Sequence, residues 1–229
     1  MEDSKLFRYR NSVLYAPVIG VFSIWLVYWI EINFGYNFTR LGIHPLKISG
    51  LQGVFFSPFI HGSTSHLFNN SVPLGVLLAS LFFFYNKIAL RILFLGTIFT
   101  GILTWILATK SYHIGASGVV YMLFSFIFFS GIIRKHYRLI ALSMIVIFLY
   151  GGMIWYIFPI KAQMSWEGHL SGFLVGLILA ILYRKIGPLK KEYIYKETAF
   201  DALFDEDGNF APPIVEDKVE LGDIKEKLD

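Results

Sequence analysis

Long apolar runs separated by short polar loops make up most of the 229-residue chain. Six runs approach the roughly 20 residues that an α-helix needs to cross a bilayer. Because backbone polar groups must be satisfied internally in lipid, the pattern predicts six membrane-spanning helices. The runs cover approximately residues 13–32, 67–85, 88–108, 115–133, 139–158 and 168–183.

The remaining segments complete the predicted domain organisation. Residues 1–12 are a polar N-terminal segment, and residues 13–186 are the predicted membrane domain. Within it, residues 33–65 mix aromatic, Gly and Pro residues and predict a structured loop at the membrane surface. Residues 187–229 predict a flexible tail, with a short helix near residues 219–227.

Composition supports a membrane protein. Hydrophobic residues make up 55% of the chain and charged residues only 16%, against roughly 25% charged residues in soluble domains. Cysteine is absent, which excludes disulfides, thiolate nucleophiles and cysteine-based metal sites.

The net charge of +4 hides an asymmetry along the chain. Residues 1–196 carry 17 Lys/Arg and 5 Asp/Glu, whereas residues 197–229 carry 3 and 11, so the tail is acidic. The basic residues of the short loops concentrate on one side of the predicted spans. By the positive-inside rule both termini are cytoplasmic, and the charge reflects topology rather than nucleic-acid binding.

This topology places four polar residues at the outer ends of their helices: His61, His66, Ser117 and His169. Ser117 stands in Gly115-Ala116-Ser117-Gly118, which on its own is ordinary helix-packing material. The serine nevertheless lies in the first helical turn, where backbone N–H groups lack intrahelical partners and favour a developing negative charge.

His169 is the candidate general base. With Gly172 and Gly176 it shares one helix face, so this helix is predicted to pack closely against the helix of Ser117. A serine hydroxyl needs an adjacent base, and imidazole suits that role near neutral pH. Tyr121, one turn after Ser117, is predicted to stack on the imidazole. Glu167 points elsewhere on its helix, so the pattern favours a Ser-His dyad over a triad.

His66 and Asn70 are spaced i, i+4 and share a face. They are candidate donors to an oxyanion, although an interhelical hydrogen-bonded pair that only supports packing has the same pattern. His61 is interpreted as holding the loop or a water molecule.

A zinc site built from His61, His66, His113 and His169 is the competing interpretation. No HExxH motif is present, and the helices concerned offer no suitable carboxylate. We therefore expect no metal and no cofactor. Without a metal, His44, His113 and His136 are interpreted as loop or interface residues.

Three motifs, FIHGSTSHLFNN, IGASGVVY and GHLSGFLVG, occur in this order, each at the corresponding end of its span. Over about residues 13–183 the chain resembles the rhomboid family of intramembrane serine proteases, in its smaller six-span prokaryotic form. The resemblance implies an all-α, polytopic six-helix membrane bundle with an interfacial first outer loop.

The resemblance also implies residue roles. Ser117 would be the nucleophile and His169 the general base, with Tyr121 stacked on the base. His66, Asn70 and the Ser117 N–H would hold the oxyanion. The supporting glycines are Gly115 and Gly118 around the serine and Gly172 and Gly176 in the last helix.

The implied function is endopeptidase cleavage of transmembrane protein substrates near the outer face of a bacterial cell membrane. One departure is that residues 33–65 contain no Trp, so the Trp-Arg pair of many members is missing and Thr39-Arg40 is a partial match. That departure concerns loop anchoring and substrate gating. Two alternatives stay open: a catalytically inactive rhomboid-like protein that binds membrane clients, and a small transporter. The sequence assigns no oligomeric state.

Overall fold

The computed structural model describes residues 10–149, 155–160, 164–187 and 198–212. The chain divides into two compact units, residues 1–190 and 191–229. The described residues are all-α, with no strand and two isolated β-bridges. Seven α-helices are formed: α1 (Ser12–Phe34), α2 (Gly53–Phe56), α3 (Thr64–Phe84), α4 (Ala89–Leu107), α5 (Ser117–Ile133), α6 (Tyr137–Leu149) and α7 (Trp166–Leu182).

The six predicted runs each contain a helix, but the helices differ in length. By length and composition, α1, α3 and α4 are able to cross a membrane. The 17-residue helices α5 and α7 are each about 26 Å long. The predicted run over residues 139–158 corresponds to the 13-residue α6 and a separate 3₁₀ turn at Trp155–Ile157. Six complete spans therefore stay a prediction.

The shorter helices α5 and α7 lie together inside the bundle. Their contact is the most extensive between any two described helices. A Cβ placed on Gly172 would lie 2.1 Å from the Gly118 carbonyl oxygen, and one on Gly176 would lie 2.3 Å from that of Met122. Only glycine permits this approach. Most of α5 is buried, which explains why this helix is apolar on every side.

The segment between α1 and α3 is a structured loop, as predicted from its composition. Besides the four-residue α2, it contains three-residue 3₁₀ turns at Thr39–Leu41, Ile48–Gly50 and Ser57–Phe59. It is anchored where Trp105 Nε1 donates to the Lys47 carbonyl oxygen at 2.9 Å. We call residues 35–63 the first loop; its position at a membrane surface stays a prediction.

In the second unit the structure describes residues 198–212. They contain a 3₁₀ turn at Asp201–Leu203 and a β-bridge between Phe204 and Phe210. The Asp205 carboxylate accepts hydrogen bonds from the backbone N–H groups of Asp207 and Asn209 at 3.0 and 2.8 Å. The predicted helix over residues 219–227 lies outside the described residues, and the flexibility of the tail stays a prediction.

Candidate active site

Ser117 and His169 meet where α5 and α7 begin. Ser117 is the first residue of α5, and its Oγ lies 2.9 Å from His169 Nε2. On the other side of the ring, His169 Nδ1 lies 2.8 Å from the Tyr156 carbonyl oxygen. Because a carbonyl only accepts, Nδ1 carries the proton and Nε2 presents its lone pair to the serine hydroxyl. This is the tautomer that a general base requires.

The imidazole of His169 is also held by an aromatic ring. The ring centroids of Tyr121 and His169 are 4.3 Å apart, and the planes differ by 11°. Both side chains are buried. The stacked ring and the Tyr156 carbonyl together restrict the imidazole in two directions.

His66 and Asn70 lie at the start of α3, on the other side of the turn that precedes Ser117. Gly115 has φ +110°, a conformation that favours glycine, and a Cβ there would lie 2.7 Å from His66 Nε2 and 3.8 Å from Asn70 Nδ2. The Asn70 amide donates one N–H to the His66 carbonyl oxygen at 3.1 Å and carries a second N–H donor. The structure therefore brings both predicted donors to the backbone next to Ser117.

A family model described as a Rhomboid domain matches residues 48–186 of this chain. The chain belongs to the rhomboid family. This is a family of intramembrane proteases, and together with the apolar helices it makes the chain a multi-pass membrane protein.

Curated relatives of this rhomboid-family chain occur in mycobacteria. An uncharacterised protein of Mycobacterium tuberculosis (strain ATCC 25618 / H37Rv) is 36% identical over 188 residues, which cover 72% of this chain and 76% of the relative. An uncharacterised protein of Mycobacterium leprae (strain TN) is 30% identical over 194 residues, covering 78% and 74%. The homologues are bacterial, and their names assign no activity.

His61 supports the turn before the serine. Its Nε2 accepts the Ala116 N–H at 3.4 Å, and its Nδ1 lies 3.3 Å from the Phe59 carbonyl oxygen. Burial, and then the neighbouring His66, lower the pKa of His61 to about 4. The ring is therefore neutral at pH 7, as the Ala116 contact requires. This position fits the interpretation that His61 holds the loop.

The histidines do not have the arrangement of a metal site. Both ring nitrogens of His169 are occupied, by the Tyr156 carbonyl and by Ser117. Within the described part of the chain, no group of three or more His, Cys, Asp or Glu side chains is placed to hold a metal ion.

A small cavity of about 30 Å³ lies beside the serine. Its lining combines apolar side chains with polar ones, among them Ser57, Thr97, Thr100, Thr104, His113 and Ser165. The Thr100 hydroxyl is buried without a hydrogen-bond partner among the described residues. These polar groups are available to bond a water molecule, and the cavity is large enough for one, since roughly 10–15 Å³ suffices.

Several contacts of the site were not predicted from the sequence. The Tyr156 carbonyl orients His169, and the Ser57 carbonyl accepts the Gly115 N–H at 2.8 Å. Backbone carbonyls are present at every residue, so neither contact has a sequence signal. His113 and Glu167 also form hydrogen bonds near the site, to Ser165 and to the Thr109 N–H. These partners could not be predicted, because they depend on the paths of two loops.

Proposed function

We propose that this protein is an intramembrane serine endopeptidase that cleaves transmembrane segments of membrane proteins. The observation that carries the proposal is the 2.9 Å contact between Ser117 Oγ and His169 Nε2, with the imidazole held in the base tautomer by Tyr156. In the proposed orientation both termini are cytoplasmic, and cleavage occurs near the outer face of the cell membrane.

Acylation follows from this geometry. His169 Nε2 takes the Ser117 hydroxyl proton while Oγ attacks the scissile carbonyl carbon. The carbonyl oxygen becomes an oxyanion, which accepts hydrogen bonds from the Ser117 N–H and from the side chains of His66 and Asn70. His169 then returns the proton to the leaving amine as the C–N bond breaks, and an acyl-enzyme remains.

The Tyr156 carbonyl has one of the roles that a carboxylate has in a catalytic triad. A carboxylate fixes the tautomer and orientation of the histidine and stabilises the imidazolium. Here the carbonyl fixes the tautomer, and the Tyr121 ring contributes to the orientation. The dyad therefore needs no carboxylate to orient its histidine. The nearby Glu167 carboxylate instead accepts the Thr109 N–H.

Deacylation needs water close to the acyl-enzyme. The cavity beside Ser117 is adjacent to the reacting atom and is large enough to hold one water molecule. His169 acts again as the base, removing a proton from the water that attacks the ester carbonyl, and returns this proton to Ser117 Oγ as the acyl C–Oγ bond breaks and the carboxylic acid product leaves.

The first test is covalent labelling by a fluorophosphonate probe, using the full chain in proteoliposomes with a model transmembrane substrate. The wild-type protein should be labelled and should cleave the substrate, whereas Ser117→Ala and His169→Ala should do neither. The matched control is Ser143→Ala, since Ser143 is a buried serine whose hydroxyl donates within its own helix, to the Leu139 carbonyl oxygen at 3.0 Å. Wild-type protein that is neither labelled nor active would contradict the proposal and favour the inactive binding protein.

A transporter has less support. Transporter sites lie near the bilayer midplane, between broken helices. Here Ser117, His169 and His66 all lie in the first turns of their helices.

A further inference from the structure

The loop that leads into Ser117 is held from two directions. On one side, His113 forms a β-bridge with Ile43 of the first loop, through N–O distances of 2.8 and 3.0 Å. On the other side, His113 Nδ1 lies 2.6 Å from the Ser165 Oγ, at the residue that precedes α7. One buried histidine therefore links the first loop, the turn before the serine and the helix of the base.

The protonation of His113 follows from its partners. Its Nε2 lies 2.9 Å from the Thr109 carbonyl oxygen, which only accepts, so Nε2 carries a proton. In the neutral ring, Nδ1 then accepts the hydroxyl proton of Ser165. Both ring nitrogens are used inside this cluster, in contacts with Ser165 and Thr109 and not with Ser117 or His169.

A second hydrogen bond links the same loop to α7. The Glu167 Oε1 accepts the Thr109 N–H at 3.1 Å, and the Glu167 side chain is only 5% exposed. Ser165 and Glu167 stand four and two residues before His169, while their partners belong to the loop that ends at Ser117. Two hydrogen bonds thus join the chain segments that carry the two members of the dyad.

The α5–α7 interface explains why such links are needed. Gly118, Gly172 and Gly176 let the two helices approach closely, but glycines have no side chains that interlock and resist sliding. A shift of α7 by one residue would move His169 by about 1.5 Å along the axis. That shift would lengthen and misalign the contact between Nε2 and the Ser117 Oγ, and a displacement of about 1 Å can lower a rate about 100-fold.

We infer that His113, Ser165 and Glu167 form a clamp that sets the height of His169 relative to Ser117. They are positioning residues, because they act through the placement of α7 and do not contact the reacting atoms. The inference rests on the proposed function and adds to it the residues that hold the dyad in register.

The test compares variants that remove each link with variants that keep it. Ser165→Ala and Glu167→Ala should each lower kcat about tenfold, leave KM unchanged and slow fluorophosphonate labelling of Ser117 by the same factor. Ser165→Thr and Glu167→Gln retain a hydroxyl and an oxygen acceptor, so they should recover most of the rate. In a His113→Phe background, Ser165→Ala should cause little further loss, since the two residues form one link.

The control is Ser130→Ala, which removes another buried interhelical hydrogen bond, from the Tyr85 hydroxyl at 2.8 Å, at the opposite end of α5. It should lower the thermal unfolding midpoint in detergent without changing kcat or the labelling rate of the folded protein. The clamp is overturned if Ser165→Ala and Glu167→Ala keep wild-type rates, or lose rate only in proportion to unfolded protein. Wild-type protein that is neither labelled nor active would overturn the proposed function as well.

Discussion

The two ends of α5 both bury polar groups among the ends of α3 and α7, with different results. At the Ser117 end, a hydroxyl and an imidazole lie 2.9 Å apart and a carbonyl fixes the tautomer. At the other end, the buried guanidinium of Arg134 donates to the Tyr183 carbonyl oxygen at 2.5 Å and lies 5.1 Å from the Tyr85 ring centroid. Its Nε and Nη1 have no hydrogen-bond partner within the described residues.

The comparison teaches that burial of polar groups alone does not identify a reactive site. A nucleophile, a base and an orienting group must be in mutual reach, and within the described residues only the Ser117 end has all three. The Arg134 end has a cation, an aromatic face and a carbonyl, which hold three helix ends together, and its Ser130 hydroxyl is paired with the Tyr85 hydroxyl. We therefore expect substitutions at the first end to change catalysis and substitutions at the second end to change stability.

Among substitutions outside the dyad, the largest effect should come from closing the space between α5 and α7 at the Ser117 end. In Gly172→Ala the new Cβ would meet the Gly118 carbonyl oxygen at 2.1 Å, so the helices must separate. Overpacking of this kind costs about 3 kcal/mol, and the displaced His169 should lower the labelling rate at least about 100-fold. The unfolding midpoint in detergent and the labelling rate measure the two effects.

Gly75→Ala is the matched control for that change. Gly75 also lies inside a helix, but its Cβ would meet only the Val21 Cγ2, at an ordinary 3.6 Å. It should raise stability by about 0.5–1 kcal/mol, because alanine is the better helix former. Equal unfolding midpoints and equal labelling rates in Gly172→Ala and Gly75→Ala would contradict the close packing of α5 against α7 at Gly172.

Removing the cation at the opposite end should be the next largest effect. Arg134→Ala loses the contact with the Tyr85 ring and the bond to Tyr183, and should cost about 2 kcal/mol of stability. Arg134→Met keeps much of the volume and removes a buried charge, so it should stay within about 1 kcal/mol of wild type. The expected labelling rate of the folded protein is unchanged in both. A labelling rate ten times slower at unchanged stability would show that the Arg134 end influences the active site. The two ends of α5 would then not have separate roles.

How much of this structure the sequence predicts depends on whether a contact follows from helical spacing or from the path of a loop. The mutual positions of Ser117, Tyr121 and His169 were predictable because helical spacing places their side chains on known faces. Where the structure describes them, the helix ends lie within a few residues of the predicted ones, except that Trp155–Ile157 form a separate 3₁₀ turn inside the run predicted to continue to residue 158. That predicted end was set by apolar composition, which does not distinguish a helix from a short turn.

The rest of the site depends on loop paths, which periodicity does not describe. The Tyr156 carbonyl reaches His169 from a turn that follows α6, and the Ser165 hydroxyl reaches His113 across 52 residues. Either contact needs a specific route of the backbone through space. The roles of His66 and Asn70 in oxyanion binding remain predictions, although both lie beside Gly115.

A smaller effect is expected from the ring that stacks on His169. Tyr121→Leu keeps an apolar side chain but removes the stacked ring, and stacking contributes about 0.5–1.5 kcal/mol. The expected result is a kcat about tenfold lower at unchanged KM, since the imidazole orients less often toward Ser117. Tyr121→Phe keeps the ring and should retain most of the activity. If the leucine and phenylalanine variants lose activity equally, the stacked ring does not orient the base.

The smallest effect should come from the middle of α5, between the two ends. The Ser125 hydroxyl donates to the Phe173 carbonyl oxygen at 2.6 Å and so also links α5 to α7. Ser125→Ala should cost about 1 kcal/mol of stability, the usual value of one hydrogen bond, and should leave kcat within about twofold of wild type. The reason is that the clamp at Ser165 and Glu167 holds the register nearer to the dyad. A tenfold loss of kcat would instead mean that contacts along the whole α5–α7 interface set the register of α7. The Ser117 end and the Arg134 end of α5 could then not be assigned separate roles in catalysis and stability.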